Sequence, residues 1–390
     1  MNICFMAYFA MMPSKGGIQR VTTILSRELS RRGHSICFLC YANYAKNDID
    51  NPTIEFPQFY IDLADENVKD NLCRFMDEKG INCVISQVQD ANSVNLLAMM
   101  PDRVKIVSVH HTMPFQYHGA NRRSLWREFP RNTLKMAIHK TVALSFPRHF
   151  VNYKVNKERK IYYLSLKYSD KFVFLSERFF PRVLHYVPDF PQKKLVAINN
   201  PNTFDATISC DYESKKDIVL WVGRVDPNKN CIDFLKAWRL FSRNHADWSA
   251  VVAGDGPELN RCKLWTKRHG IKNITFLGYY QEVAKLYDEA KILVSTSFKE
   301  GWPMVLNEAM STGCVPCVYN TFETIADILE DGVTGALCEP RPASLAAKLE
   351  ELTSNGQRLK EMAMAGKISI RKFSVTHICD QWEKLLNSIM

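Results

Sequence analysis

The sequence predicts an α/β protein built from two Rossmann-like, doubly wound domains. Three observations carry that prediction: a length of 390 residues, short apolar runs alternating with helical periods, and a break rich in proline and asparagine near the middle. A chain of this length exceeds what one core of ordinary size accommodates, so two domains are expected. Alternating strand and helix patterns place parallel strands in a sheet with crossover helices on its faces. The break, around Val187-Pro-Asp-Phe-Pro191 and Asn199-Asn-Pro-Asn202, interrupts both periods and reads as a linker. The expected division is 1–190 and 196–375, with a final helix over about 376–390 packing back on the first domain.

Each element can be justified in order. Met1-Asn-Ile-Cys-Phe-Met-Ala-Tyr-Phe-Ala is an apolar first strand, and Gly16-Gly17 then opens a helix with Ile18, Val21, Leu25 and Leu29 near the helical period. Gly33 stops that helix, and His34 to Cys40 supplies a second strand, giving a β-α-β unit. Further strands are expected at Asn82–Ser86, Val104–Val109 and Lys171–Leu175. In the second half the strands fall at 218–222, 249–253, 274–277, 291–295, 315–318 and 335–338. Helices lie between them over 232–241, 258–269, 281–289 and 303–311. The last segment sets Ile378, Trp382, Leu385 and Leu386 on one side of an amphipathic helix.

Composition narrows the function classes. The chain is 46% hydrophobic and 24% charged, which suits a folded globular protein, and its net charge of +10 suits anionic partners. Nucleic acid, an anionic membrane and nucleotide diphosphates all meet that description. Twelve cysteines are scattered without a disulfide framework, as expected in a reducing cytoplasm. Cys314-Val-Pro-Cys317 has metal-pair spacing, yet no second pair or nearby histidine completes a zinc site, so it reads as a buried strand. The amino terminus lacks a positive n-region and reads as a strand rather than a signal peptide, and no apolar run is long enough to span a bilayer.

The chemistry-bearing residues sit on loops that follow strands, where open α/β sheets hold their ligands, and two such domains are expected to face one another across a cleft. Val222-Gly223-Arg224 to Lys229 puts two cations on a strand-to-helix loop, a plausible diphosphate clamp and equally an ordinary solvated loop. Gly254-Asp-Gly256-Pro257 would let a ligand approach the backbone closely, or form only a tight turn. Glu300-Gly-Trp-Pro303 leads into a helix whose first turn takes Pro303, with Glu308 inside it. Two carboxylates so spaced would repel a diphosphate but accept hydrogen bonds from sugar hydroxyls.

Taken in order, Gly223-Arg224, Lys229, Gly254-x-Gly256-Pro257, Gly278, Glu300-x7-Glu308, Thr324-Ile325 and Asp331-Gly332-Val-Thr-Gly335 resemble the retaining GT-B glycosyltransferases of family 4, also called glycosyl transferases group 1. The resemblance covers most of the chain and is most specific from Leu220 to Gly335; Gly16-Gly17-Ile18 resembles the family's first glycine loop. It implies a hexosyltransferase that moves a sugar from a nucleotide sugar, by default a UDP-sugar, to a glycan or lipid-linked acceptor. Arg224 and Lys229 would hold the donor diphosphate, Glu300 the sugar hydroxyls and Glu308 the ribose. Amides across Gly301, Trp302, Pro303, Met304 and Val305 would help hold sugar and phosphate, while Gly16 and Gly17 would admit the diphosphate. Gly278, Tyr279 and Glu282 would meet the base. Either His110 or His111, in Val107-Ser-Val-His-His111-Thr-Met-Pro114, would contact the transferred sugar, with His111 favoured by its spacing to Pro114. The family's chemistry implies no metal and no cofactor beyond the donor substrate.

One stretch stands apart. From Arg122 to Lys171 basic residues greatly outnumber acidic ones and aromatics are interleaved, which fits either a charged helical surface or a face docking on anionic lipid at the inner side of the cytoplasmic membrane. Asp48-Ile-Asp50 imitates a metal-binding Asp-x-Asp but lies in a polar loop, and reads as a turn. A dinucleotide-dependent oxidoreductase would share the strand–helix pattern, yet no strand is followed by a full G-x-G-x-x-G. No nucleic-acid-binding motif is found. A non-catalytic nucleotide-sugar-binding protein would keep every donor motif, and only a transfer assay separates it from an enzyme.

Overall fold

The computed structural model describes residues 1–42, 47–48, 51–118, 120, 141, 143–204 and 212–390. Two units are present. The first comprises Met1–Gln116, Lys154–Thr203 and Phe373–Met390, and the second comprises Tyr117–Tyr153 and Phe204–Lys372.

The first unit holds seven parallel strands: β1 (Asn2–Ala7), β2 (Ser35–Cys40), β3 (Gln58–Tyr60), β4 (Cys83–Ser86), β5 (Lys105–His110), β6 (Lys171–Phe174) and β7 (Leu195–Ala197). They lie in the order β3-β2-β1-β4-β5-β6-β7, all parallel. The order reverses beside β1, where ligand-holding loops of such sheets converge. Helix α1 (Gly17–Arg31) buries Val21, Leu25 and Leu29 and ends at Gly33, whose φ of 91° only glycine adopts freely. Helices α2 (Val68–Glu78), α3 (Ala91–Met99), α4 (Pro147–Tyr168) and α5 (Phe180–Tyr186) follow in the chain. Asp90 and Ser93 form a reciprocal capping box on α3. One core face gathers Cys4, Met6, Leu72, Met76, Val84 and Leu97.

The second unit repeats the plan with six parallel strands: β8 (Lys216–Val222), β9 (Ser249–Ala253), β10 (Ile274–Gly278), β11 (Ala290–Ser295), β12 (Val315–Tyr319) and β13 (Ala336–Cys338). Their order is β10-β9-β8-β11-β12-β13, with the reversal between β8 and β11. Its helices are α6 (Cys231–Phe241), α7 (Leu259–Arg268), α8 (Val283–Glu289), α9 (Met304–Ser311), α10 (Ile325–Ile328), α11 (Pro342–Thr353) and α12 (Gly356–Ser369). Trp221, Phe234, Trp238 and Phe241 fill the core beside Cys317 and Leu349. Cys314 and Cys317 are both buried free thiols, and Cys317 stands on β12.

Helix α13 (Val375–Asn387) closes the chain on the first unit, with Ile378, Trp382 and Leu386 buried and Arg32 of α1's end bonded to Asp380 at 2.7 Å and Glu383 at 2.6 Å.

Two expectations change. The segment expected to be linker and second domain, 191–203, belongs to the first unit, because Leu195–Ala197 pairs with β6. Three residues among prolines and asparagines are too few to show a period, and the same applies to β3. Tyr117–Tyr153, expected within the first domain, groups with the second unit. The helix expected from about Pro303 runs Met304–Ser311, with Pro303 at ψ 88° as its N-cap. The basic residues 122–140 and most of Asp48-Ile-Asp50 lie outside the described residues.

Candidate functional site

The second unit concentrates its charge where β8 and β11 end. The loop after β8 leaves through Gly223, at φ 154°, and folds on Asp226. That buried carboxylate accepts the Lys229 amide at 2.9 Å and Arg224 Nε at 2.8 Å, so one side chain shapes the turn and orients a cation. The Arg224 side chain is still 74% exposed.

The loop after β11 is stitched to this one. Thr296 Oγ1 donates to the Lys229 carbonyl at 2.9 Å and receives Trp221 Nε1 at 3.1 Å. The Phe298 amide donates to the Asn228 carbonyl and Asn228 Nδ2 to the Lys299 carbonyl, each at 2.9 Å. Across this frame Lys229 Nζ meets Glu300 Oε1 at 2.6 Å, with the side chains 24% and 13% exposed. Such a short charge-assisted contact at a sheet's reversal point is strong but reachable, so an incoming ligand can exchange for either partner.

The glycines of the neighbouring loop serve this frame. A Cβ on Gly254 would stand 1.8 Å from the Gly223 carbonyl oxygen, and one on Gly256 would stand 2.5 Å from that of Val225. Amides of the Arg224 loop donate across to this loop, Gly223 N to Ala253 O at 3.1 Å and Val225 N to Asp255 O at 2.8 Å. At both glycines the backbone of one loop approaches that of another closely. Gly335 is similarly crowded, by Leu329 and Pro316, in the turn that Asp331 closes with its bond from the Leu337 amide.

Helix α9 starts beside Glu300. Trp302 and Pro303 are buried, Gly301, Met304 and Val305 half-buried, and no side chain caps the helix. Its first amides therefore have no partner within the helix. Glu308 lies deeper, 3% exposed, and its Oε2 accepts the hydroxyl of fully buried Tyr287 at 3.0 Å. The structure thus separates the two acids: Glu300 on the loop frame, Glu308 inside. Further out, Gly278 turns at φ 70°, Tyr279 is 61% exposed, and Glu282 pairs with Lys285 at 2.8 Å.

In the first unit the loops at the carboxyl edge are different. Gly16 is extended and Gly17 begins α1, which carries no side-chain cap and no acid in its first turn. A Cβ on Gly17 would meet nothing within 4 Å. His110 is buried against Tyr162 and Phe174, with Nδ1 bonded to Tyr162 Oη at 3.2 Å and Nε2 3.3 Å from Thr112 Oγ1. His111, half-buried beyond the strand end, has Nε2 against Gln87 Oε1, and its buried Nδ1 has no hydrogen-bond partner among the described residues. Burial pushes His110 down to about 3 and His111 down to about 4, so both are neutral near pH 7. Glu158 of α4 accepts the Phe115 amide at 2.7 Å where Phe115 turns at φ 49°, and burial pushes its carboxyl up to about 7.

Several partners were not expected from sequence: Asp226, Thr296, Tyr287, Gln87 and Glu158. Asp226 alone left a local signal, an acid beside Pro227-Asn228 in a turn. The others are defined by contacts distant in sequence.

Residues 211–369, within the second unit, match the family Glycosyl transferases group 1. The chain is 33% identical over 201 residues to the Campylobacter jejuni GalNAc-alpha-(1->4)-GalNAc-alpha-(1->3)-diNAcBac-PP-undecaprenol alpha-1,4-N-acetyl-D-galactosaminyltransferase, covering 50% of this chain and 55% of that protein. It therefore spans about half the length of that relative. Over 97% of its length, and 95% of the other's, it is 24% identical to the N-acetyl-alpha-D-glucosaminyl L-malate synthase of Bacillus anthracis. Its fold superposes on Anabaena HepE, solved in complex with UDP and glucose, with TM-score 0.74 at 15% identity over all of both chains. The architecture is GT-B, two Rossmann-like units with parallel sheets.

Proposed function

We propose that this chain is a retaining glycosyltransferase that moves a hexose-type sugar from a nucleotide diphosphate sugar, most naturally a UDP-sugar, to a glycan or lipid-linked acceptor in glycoconjugate or polysaccharide biosynthesis. The observation that carries the reading is the Lys229–Glu300 pair, held across the loops after β8 and β11 with Arg224 alongside. A diphosphate sugar offers each member a new partner. Its phosphates draw Lys229 and Arg224, and its hydroxyls donate to Glu300. The first amides of α9 face the same anion. Glu308 takes the ribose, and Tyr279 with Glu282 lies near the base.

Catalysis follows by positioning and charge. The acceptor hydroxyl attacks the anomeric carbon on the face the diphosphate leaves, its proton passing to the departing phosphate oxygen while the glycosidic bond forms and the bond to phosphate breaks. Arg224, Lys229 and the helix amides stabilise the charge that builds on the leaving group. His111, neutral and fixed by Gln87, contacts the transferred sugar. No metal is required by this scheme. Support comes from the UDP and glucose bound by HepE and from the undecaprenol-linked substrate in the name of the Campylobacter relative. The basic, aromatic 122–171 stretch, at the inner face of the cytoplasmic membrane, brings the enzyme to such an acceptor.

A panel of nucleotide sugars with glycan and polyprenyl-linked acceptors, followed by nuclear magnetic resonance of the product, tests the reading. The expected product keeps the donor's anomeric configuration. An inverted product removes the retaining mechanism, and tight binding of nucleotide sugars with no transfer to any acceptor favours a binding protein.

A further inference from the structure

We propose that Tyr287 is the positioning residue of the donor site: its hydroxyl holds the Glu308 carboxylate in the orientation that receives the ribose hydroxyls. The proposal rests on the reading of Glu308 as the ribose acceptor.

Tyr287 donates to Glu308 Oε2 at 3.0 Å, and both side chains are buried, Tyr287 completely. The phenol itself is held from behind. Lys215, only 5% exposed, donates from Nζ to the carbonyls of Tyr287 at 2.8 Å, Asp288 at 2.7 Å and Ala290 at 3.1 Å. Thr312 Oγ1 adds a bond to the Tyr287 carbonyl at 3.2 Å. Phe204 packs edge-on against the ring, centroids 5.8 Å apart.

Helix α8 has seven residues, too few to hold its own shape, and its last carbonyls have no partner within the helix. A buried ammonium satisfies them and complements the negative end of the helix. The result is a continuous chain from Lys215 through the backbone and ring of Tyr287 to Glu308. Burying an ammonium, a phenol and a carboxylate in succession is costly compared with apolar residues of the same volume, so packing alone does not account for the arrangement. A carboxylate offers about four lone-pair sites, so one that accepts a phenol keeps acceptor capacity for a vicinal diol. Glu308 sits on α9, the helix that begins beside Glu300, so a fixed Glu308 also sets where the nucleoside lies relative to the Lys229 pair.

Calorimetric titration of the full chain with UDP and with 2′,3′-dideoxy-UDP reads out the ribose contact alone. Wild-type protein is expected to prefer UDP by at least about tenfold, because a site built to bond hydroxyls leaves buried polar groups unpaired when the analogue lacks them. Glu308→Gln should abolish that preference, and Tyr287→Phe should cut it about three- to tenfold while leaving the dideoxy affinity unchanged. If Glu308→Gln loses the preference and Tyr287→Phe keeps it, the positioning role is overturned and the ribose reading stands. If Tyr287→Phe weakens both ligands alike, the residue is only structural and the proposal fails. A wild-type protein with no preference, or Glu308→Gln retaining it, removes the ribose reading and the proposal together. Should Tyr287→Phe fold poorly, 3-fluorotyrosine at position 287 alters the donor strength with the ring in place; an unchanged preference then overturns the proposal.

Discussion

The carboxyl edges of the two sheets share a topology and differ in chemistry. Beyond β8 and β11 the loops carry Arg224, Lys229, Asp226 and Glu300, all ionic and partnered in pairs that a ligand can reopen. At the ends of β4 and β5 stand Gln87, His110 and His111, with neutral imidazoles bonded to an amide and a phenol. Reversal of strand order determines where loops converge, and the side chains set there determine what they hold. One edge presents charged groups, two of them cations, in line with the proposed anionic donor. The other is buried and neutral, which under the same proposal would suit shaping and orienting.

The largest test of the contrast is Lys229→Ala. It removes the cation from the frame and leaves Glu300, 13% exposed, without its 2.6 Å partner. Loss of one charge-stabilising contact at a leaving group costs about 2 to 4 kcal/mol, so transfer should fall at least tenfold and by about a hundredfold in the central case. Initial rates of sugar transfer, with thermal unfolding as the control for folding, give the answer. Activity within threefold of wild type in a folded variant would sink the assignment of the charged edge to leaving-group stabilisation.

The neutral edge makes a prediction in pH. Glu158, raised to about 7 by burial, is held down by Arg182 and stands 3.9 Å from His110 Nε2, with Tyr162 beside it. A carboxyl raised on folding contributes stability that is complete below its unfolded pKa and is lost as pH rises through about 7. The two histidines run the other way. Lowered to about 3 and 4, they contribute stability above their unfolded value near 6.5 that is lost as pH falls below it. The first unit is therefore most stable close to neutrality. Glu158→Gln keeps an acceptor for the Phe115 amide and should flatten the alkaline limb by on the order of 2 kcal/mol. Amide hydrogen exchange on Ile106 to His110 between pH 6 and 9 isolates this unit, and an unchanged alkaline slope in the variant would refute it.

The same contrast explains what could be read in the sequence. The charged edge was legible because its residues cluster along the chain: Gly223, Arg224 and Lys229 share one loop, and Glu300 and Glu308 one loop and helix. The reason for Gly254 and Gly256 was not, since the Gly223 and Val225 carbonyls that crowd them come from another strand's loop. Tyr287 and Glu158 look like ordinary members of amphipathic helices, and only tertiary folding sets them against Glu308 and Phe115. The longer strands, and the helices α1, α6, α7 and α13, were placed within a few residues, whereas α2, α3, α4, α11 and α12 were given no bounds. Strands β3 and β7, three residues each, carry no period, and β7 moved the boundary between the units.

The smallest expected effect concerns α4. Along it His149, Tyr153, Lys157, Lys160, Tyr163 and Lys167 recur at three- and four-residue spacing and are all exposed, Tyr153 by 63% and Tyr163 by 38%. Lysines interleaved with rings on one stripe suit an anionic lipid surface, the rings entering the headgroup layer while each cation adds about 1 kcal/mol. No helix among the described residues is long and apolar enough to cross a membrane, so such a contact would be interfacial. Lys157, Lys160, Tyr163 and Lys167 belong to the first unit, which would give its neutral edge a separate, charged means of meeting a lipid-linked acceptor. In flotation with vesicles containing anionic lipid, the triple variant Lys157→Glu, Lys160→Glu, Lys167→Glu should reduce the bound fraction several-fold, while transfer to a water-soluble acceptor is unchanged. Salt should reduce the wild-type binding in the same direction, because surface charges are screened over a Debye length of about 8 Å at physiological ionic strength. Equal flotation of wild type on neutral and anionic vesicles would show that the stripe is only a solvated helix face, and the difference between the two units would then reduce to their loops.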